Sequence, residues 1–514
     1  MPVSIQPAPR ATSWLLPSIT HLIFVAVLLA MFVGTPQRLL SDGGIGWHIR
    51  TGDIILRDHH IPKADPFSAT MRGRPWFAWE WLYDALVSKV HGWWGLNGVA
   101  FLGATLLALT FALLFRALLQ RCGYLLPALM LWLLVLLASS VHWHARPHLF
   151  TWVLTIAWCL LLDGNREDRM QNWRWLPVLM LPWANLHGGF VLGLALTFVY
   201  WVGLVIEWGT GHATPEAKKQ VLQLAAIGLL CGAVSLVNPS GYQLHAHIWR
   251  YLSDAGLIHK IQEFAAPNLS WAATRCFLVL LIVAAVAAAI KPRAVGIPRL
   301  LVFGLMAWLG LSTVRNLPLA AMVIVLAVAP AIKEILGEWP RRRAVLSKLK
   351  TLSQQAFTIE SQNRVPVWPM AAVLVGIIIC AQGGMLFGRR IVRAEFDSQK
   401  FPAHAVDYLK ARKAQGAAMS AVLSTDAWGG YLIYRLWPDA AMIVDDRHDF
   451  YGAEFLAHYI SVLHGESGWE HQLDAWKSDW VVAPVRSPLC ALLKTSPHWR
   501  QSYADDVAVV FERR

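Results

Sequence analysis

Charge is the first thing this chain lacks: Asp, Glu, Lys and Arg make up 15% of its 514 residues, against 56% hydrophobic residues. Soluble domains are about a quarter charged, so a soluble globular enzyme is excluded. Cysteine is sparse too. The six (Cys122, Cys159, Cys231, Cys276, Cys380 and Cys490) show no CxxC or other close spacing, which excludes a disulfide framework and a zinc motif. There is no repeat and no low-complexity tract. Met1 to Pro17 holds one Arg and no small-residue cleavage site, so the apolar run that follows is expected to be retained as a first span.

What the chain has instead is charge-free apolar sequence. Runs suited to hydrocarbon fall near 18–35, 97–115, 124–141, 149–162, 175–186, 189–207, 220–237, 276–290, 300–314, 317–332 and 367–387, about eleven spans of a polytopic α-helical membrane protein. The runs 149–162 and 175–186 fall short of the roughly 20 residues a crossing needs, so they borrow polar flanks or sit inside the bundle. Many of the 27 Trp lie beside the ends of runs, where an amphipathic ring is favoured at the headgroups.

The net charge of +13 would suggest nucleic acid in a soluble protein; in a membrane protein it marks cytoplasmic loops, and no nucleic-acid partner is expected. Alternate loops carry eighteen Lys and Arg and the opposing loops five, leaving aside the long first loop, 36–96. That bias predicts a multi-pass membrane protein with a cytoplasmic N-terminus. Residues 1–389 then form the membrane domain, with a basic cytoplasmic linker at 333–366 whose Lys and Arg face anionic headgroups. The segment 390–514 lies outside.

That last segment changes character. Its pattern predicts a helix at 403–414, a strand at 421–425, a helix after Trp428-Gly429-Gly430, a strand at 441–444, helices around 453–464 and 469–477, a strand at 480–485, a helix at 488–495 and a strand at 507–512. Alternating strands and helices indicate a small extracytoplasmic α/β domain.

Polar residues that are costly near a bilayer collect on the outer side, where ionisable groups suggest function. The first outer loop holds Asp42, Trp47, His48, Arg50, Asp53, Asp65, Glu80 and Trp81, and the second His142, His144, Arg146 and His148. Asn185 and His187, then Asn238 and Glu263, then Arg315 and Asn316 complete five loops. In the first loop a helix is expected over 45–57, and an amphipathic interfacial helix over 76–94 from the spacing of Trp81, Leu82, Ala85, Leu86 and Val90.

An Asp at the end of the first span, two interfacial helices, about eleven spans and an external C-terminal domain resemble the GT-C superfamily of polyprenyl-phosphate-dependent membrane glycosyltransferases. The likeness is to the bacterial branch of protein O-mannosyltransferases and aminoarabinose transferases. Asp42 to Ile55, Pro62 to Ser68, Trp76 to Leu82, Leu186 to Phe190, Asn238 to Gly241 and Trp428 to Tyr431 look like a poorly characterised bacterial group within it. The resemblance implies that Asp42 is the catalytic base. One departure is visible: Gly43 and Gly44 stand where many relatives carry a second acid.

The chemistry also follows from residue types. Sugar transfer from a lipid phosphate to a hydroxyl of a glycan, lipid or protein needs a base and cations for the departing phosphate. Asp42 supplies the first. Arg146 and Arg315 present planar forks to phosphate oxygens, with His148 and His187 as further donors. Trp47, His48, Arg50, Glu80, Trp81, Asn185, Asn238 and Glu263 are candidate substrate contacts. Asp426, Trp428, Asp445, Asp446 and Arg447 follow strands of the α/β domain and are candidate acceptor contacts. No cofactor is required; were a divalent metal used, Asp42 with Glu80 or His48 would be its first ligands, though no metal motif is present.

Plainer roles compete with each of these. Asp42 can cap the helix that follows, Arg146-Pro147 can end a span, and Asp445-Asp446 can end a strand. A flippase of lipid-linked saccharides would want midplane polar residues and a duplicated architecture, and a noncatalytic envelope scaffold would use the α/β domain for docking. Asp42→Asn separates them, since only an enzyme loses its activity.

Overall fold

A computed structural model describes residues 16–163, 169–211, 217–338, 344–362 and 365–514. The N-terminal stretch with Arg10, Arg166, and the linker residues Arg341, Arg342, Arg343 and Arg364 lie outside the described residues. Each of the eleven apolar runs is a helix: Ile19–Leu29 running into a π turn at Ala30–Gly34, the part of Trp81–Cys122 beyond Gly95, Leu125–Ala138, His148–Leu162, Leu176–Leu186, Phe190–Gly209, Ala217–Ser235, Ala272–Ile290, Ile297–Ser312, Leu317–Glu338 and Val367–Ala381. Helix is the expected answer, because lipid offers no partner to an unpaired N–H or C=O. Among the described residues, six helical stretches are long and apolar enough to cross a bilayer unaided.

Leu176–Leu186, one of the two short runs, takes the interior option. It packs against His148–Leu162 and Ala217–Ser235, and fully buried Trp183 donates Nε1–H to Thr151 Oγ1 at 2.8 Å. The bundle centre is Leu317–Glu338, where every residue from Ala320 to Ala329 is buried. Its Ala and Val positions let neighbouring helices come close, which is how apolar helices associate without a hydrophobic drive.

The first long loop departs from expectation at its second helix, which starts at Trp81, five residues late. Residues 64–76 are used otherwise: Trp76 N donates to Lys63 O, and Ala64 bridges Pro75. From Trp81 the helix continues into the second span through a kink at Gly95, whose φ of 59° suits glycine. Two further helices had no clear apolar run, Tyr242–Ser253 and Ala344–Gln362. The second lies in the basic linker and docks on the bundle, where Ser353 Oγ accepts from Leu125 N and Glu360 from Thr20; Lys348 and Lys350 stay exposed.

The C-terminal unit is a five-stranded sheet in the order Ala441–Met442, Ala421–Leu423, Trp480–Pro484, Ala508–Arg513, Trp499–Ala504. The first three are parallel and the last two antiparallel. Two expectations are corrected. The helix placed after Gly430 begins at Asp426 and contains Trp428, Gly429 and Gly430, and Trp499–Ala504 is an additional strand. That strand reads poorly because its outer positions are polar on an exposed edge. The opposite edge is covered by the first loop: Ala69 N donates to Met442 O and Met442 N to Phe67 O, so the membrane part and the sheet share backbone hydrogen bonds.

Candidate functional site

Glycines bring the two parts together. Gly43, Gly44 and Gly46 lie on the helix Asp426–Leu436, which turns Gly430 toward them and Gly429 toward Val444 and Asp445. A Cβ on Gly46 would sit 2.2 Å from the Gly430 carbonyl oxygen, and one on Gly430 2.4 Å from that of Gly43. Two short motifs almost 400 residues apart are therefore one contact, made where only backbone fits.

Above that contact lies a cavity of about 970 Å³. Of the candidates read from the sequence, Asp42, Trp47, Glu80, Arg146, His148, His187, Glu263, Arg315, Asp426, Asp446 and Arg447 line it. The others serve elsewhere. Arg50 pairs with Asp53 and the Tyr434 carbonyl, Trp81 donates to Asn185, and Asn238 closes its own turn by accepting from Ser240 N. Trp428 donates to the Lys400 carbonyl. Asp445 is buried and holds Arg447 through two hydrogen bonds of 2.8 and 2.7 Å. Arg447 also meets Asp65 at 2.8 Å and lies 4.7 Å from the centre of the Trp76 ring, which makes it a clamp between loop and sheet as well as a wall of the cavity.

Arg146 is held by its neighbours' backbone: Ala145 N donates to Leu39 O, and the Tyr83 hydroxyl donates to Ala145 O. Its Nη1 donates to Asp42 Oδ2 at 3.0 Å and to Asp446 Oδ2 at 3.1 Å. The other oxygen of Asp42 accepts from Gly44 N at 2.8 Å. Burial alone would raise the Asp42 carboxyl, but Arg146 and His144 beside it hold it well below the usual carboxylate range. Asp42 is thus ionised at neutral pH.

Glu80 sits differently. It is 7% exposed, and burial pushes its carboxyl up to about 7. Its oxygens face His48 Nε2 at 3.7 Å and His187 Nε2 at 3.5 Å. The tautomer of His187 follows from its partners. Trp183 can only donate to Thr151 Oγ1, so the Thr151 hydroxyl donates to His187 Nδ1, which also accepts from Gly189 N. The ring proton is left on Nε2, aimed at Glu80. Burial also keeps His187 well below its ordinary value, and neutral. His48, not itself lining the cavity, bonds Asp84 through Nδ1 at 2.6 Å.

Arg315 enters from the turn before Leu317–Glu338, 3.6 Å from Glu263 and stacked over Phe264 at 5.3 Å. His148 Nε2 lies 2.8 Å from the His142 carbonyl. Sequence reading missed Asp84, Thr151 and the His247–Asp449 pair at 2.8 Å. Only Asp84 had a visible signal, four residues after Glu80 and so on the same helix face. Among the described residues no three His, Cys, Asp or Glu side chains converge as a metal site. Of the first ligands to test for a metal, Asp42 is held by Arg146 and Gly44, while Glu80 and His48 face each other at 3.7 Å.

No family model matches the chain, and no curated protein matches it. Solved structures do. The apo oligosaccharyltransferase of Archaeoglobus fulgidus aligns at a TM-score of 0.51 and 12% identity, over 91% of this chain and 69% of that one. ArnT from Cupriavidus metallidurans in the apo state aligns at 0.46 and 14% identity over 98% of both chains. What the alignment to the oligosaccharyltransferase shows is the fold, which in this chain is a polytopic helical bundle with a C-terminal α/β domain.

Proposed function

We propose that this chain is a membrane glycosyltransferase that moves a sugar from a polyprenyl-phosphate donor to a hydroxyl of a glycan, lipid or protein acceptor. The carrying observation is convergence: Asp42, Arg146 and Arg315 come from three separate connections and face one cavity at one end of the bundle. The basic-residue bias of the loops supports placing that end on the extracytoplasmic face of a bacterial inner membrane, with the sheet domain above it. The fold shared with the archaeal oligosaccharyltransferase supports the reaction class.

In this reading the acceptor hydroxyl attacks the anomeric carbon as the bond from that carbon to the phosphate oxygen breaks. Asp42, ionised and hydrogen-bonded from one side by Gly44 N, takes the acceptor proton. Arg146 and Arg315 stabilise the charge that grows on the leaving phosphate, with His148 and His187 as neutral partners. Trp47, Glu80 and Glu263 bound the sugar, while Asp426 and Arg447 face the acceptor. The test is Asp42→Asn in purified protein given polyprenyl-phosphate sugar. Turnover should fall by a factor of about 10²–10⁴ with donor binding retained. Unchanged sugar transfer by this variant would overturn the assignment of Asp42, and lipid-linked saccharide movement without transfer would favour a flippase.

A further inference from the structure

Arg146 divides one guanidinium nitrogen between two carboxylates that reach it from distant parts of the chain. Asp42 leaves the first span; Asp446 follows the strand Ala441–Met442 of the sheet domain. The second oxygen of Asp446 accepts from Trp47 Nε1 at 2.9 Å. Gly44 is pressed against the group, since a Cβ there would meet Asp446 Oδ2 at 2.3 Å and the guanidinium carbon of Arg146 at 3.1 Å. The position of Asp446 is thus set from both parts of the molecule.

The charges do not balance. Asp446 faces Arg146 and Asp42 across the junction, Asp445 and His448 from its own loop, and Glu80 across the cavity. Burial and the nearby Asp42 carboxylate push its carboxyl up, with Arg146 opposing. Two acids share one nearby cation beside an open space. A phosphate entering that space offers oxygens of the shape that Arg146 binds best. It would also be a third anion around the same guanidinium, and like charges at such distances repel. Asp42 has a second tie in Gly44 N–H, within its own loop, and Asp446 has one in Trp47 Nε1–H, across the junction. Asp446 is the carboxylate that spans the junction and has the most to lose.

We propose that Asp446 is a positioning residue of the donor site, which aims Arg146 into the cavity before the donor arrives and yields the guanidinium to the donor phosphate. This rests on the glycosyl-transfer reading. It makes the sheet domain a participant in donor binding, since the contact that donor phosphate displaces is the one that ties Arg146 to that domain.

The experiment is equilibrium binding of undecaprenyl phosphate to the full chain in nanodiscs, for wild type, Asp446→Asn and Asp446→Glu, with kcat and KM measured alongside. Removing the competing charge should tighten binding about threefold to tenfold in Asp446→Asn. Asp446→Glu restores the competitor and should bind like wild type. The Asn variant should also show a lower kcat together with a lower donor KM, because the arginine is no longer aimed; a merely misfolded variant would bind more weakly. Binding unchanged or weakened in Asp446→Asn, with wild type binding normally, overturns the positioning role alone. Failure of wild type to bind the lipid phosphate overturns the glycosyl-transfer reading and the positioning role with it.

Discussion

The two ends of the helical bundle each carry a partly buried aspartate–arginine network, and they are built oppositely. At one end Asp163 accepts from Arg121 at 2.8 Å, from Arg299 at 2.8 and 2.9 Å and from Tyr200 at 2.9 Å, and Arg121 donates also to the Leu326 carbonyl. The cavity beside it measures about 20 Å³. At the other end one arginine serves two carboxylates beside about 970 Å³. The first network sets two arginines on one acid with no room for a ligand; the second sets one arginine on two acids beside ample room. Charge in a membrane protein is therefore read as structure or as chemistry by whether its partners are already present.

That contrast can be broken by substituting the acid at each end. Asp42→Asn should cost turnover by the large factor given above, with little loss of melting temperature. Asp163→Asn should do the reverse: two arginines lose their carboxylate in a buried site, which costs about 3–5 kcal/mol of stability, read as a drop in thermal midpoint in detergent. Were Asp163→Asn to abolish transfer while leaving the thermal midpoint unchanged, the division of roles between the ends would be wrong.

The junction below the open end gives a smaller effect. Gly46→Ala places a methyl 2.2 Å from the Gly430 carbonyl oxygen, and backbone on both sides leaves little room to yield. A destabilisation of about 1–3 kcal/mol is expected, with a fall in turnover as Asp446 is moved. Gly304→Ala, in the span Ile297–Ser312 with nothing within 4 Å of the added methyl, should change neither. Thermal unfolding and activity of the pair would show whether close approach, not glycine content, matters.

The smallest effect concerns pH. The Glu80 carboxyl titrates near 7 in the folded protein against 4.5 ordinarily, because burial favours its neutral form. Its contribution to stability is thus fully present below about 4.5 and is lost as pH rises through about 7. Relative to Glu80→Gln, which lacks the titration, wild type should lose stability across that window. Parallel melting curves for the two proteins from pH 4.5 to 8 would contradict the buried placement of Glu80.

Much of this was legible in residue order. Hydropathy alone located all eleven helices, and the helices at 403–414 and 488–495 fall where their patterns put them. Tyr242–Ser253 was not legible, because only Leu244 and Ile248 on it are buried. Among site residues, Asp42, Arg146 and Arg315 stood out as charges at the ends of spans. Asn185 and Arg50, polar residues of the same outer loops, proved to bind neighbours within the protein. Arg121 and Arg299 read as ordinary basic residues of inner loops, yet they close on Asp163.

Residue order by itself determined that this chain lives in a bilayer, where its apolar helices lie and that its last hundred or so residues form a separate kind of structure. Those properties are local, since a stretch without charge must satisfy its own backbone in lipid whatever surrounds it. Tertiary structure alone decided which carboxylate meets which arginine, that glycines near residues 44 and 430 touch, and which charges were left facing open space. Such outcomes depend on competition among partners far apart in the chain, and a list of residue types does not say which partner arrives.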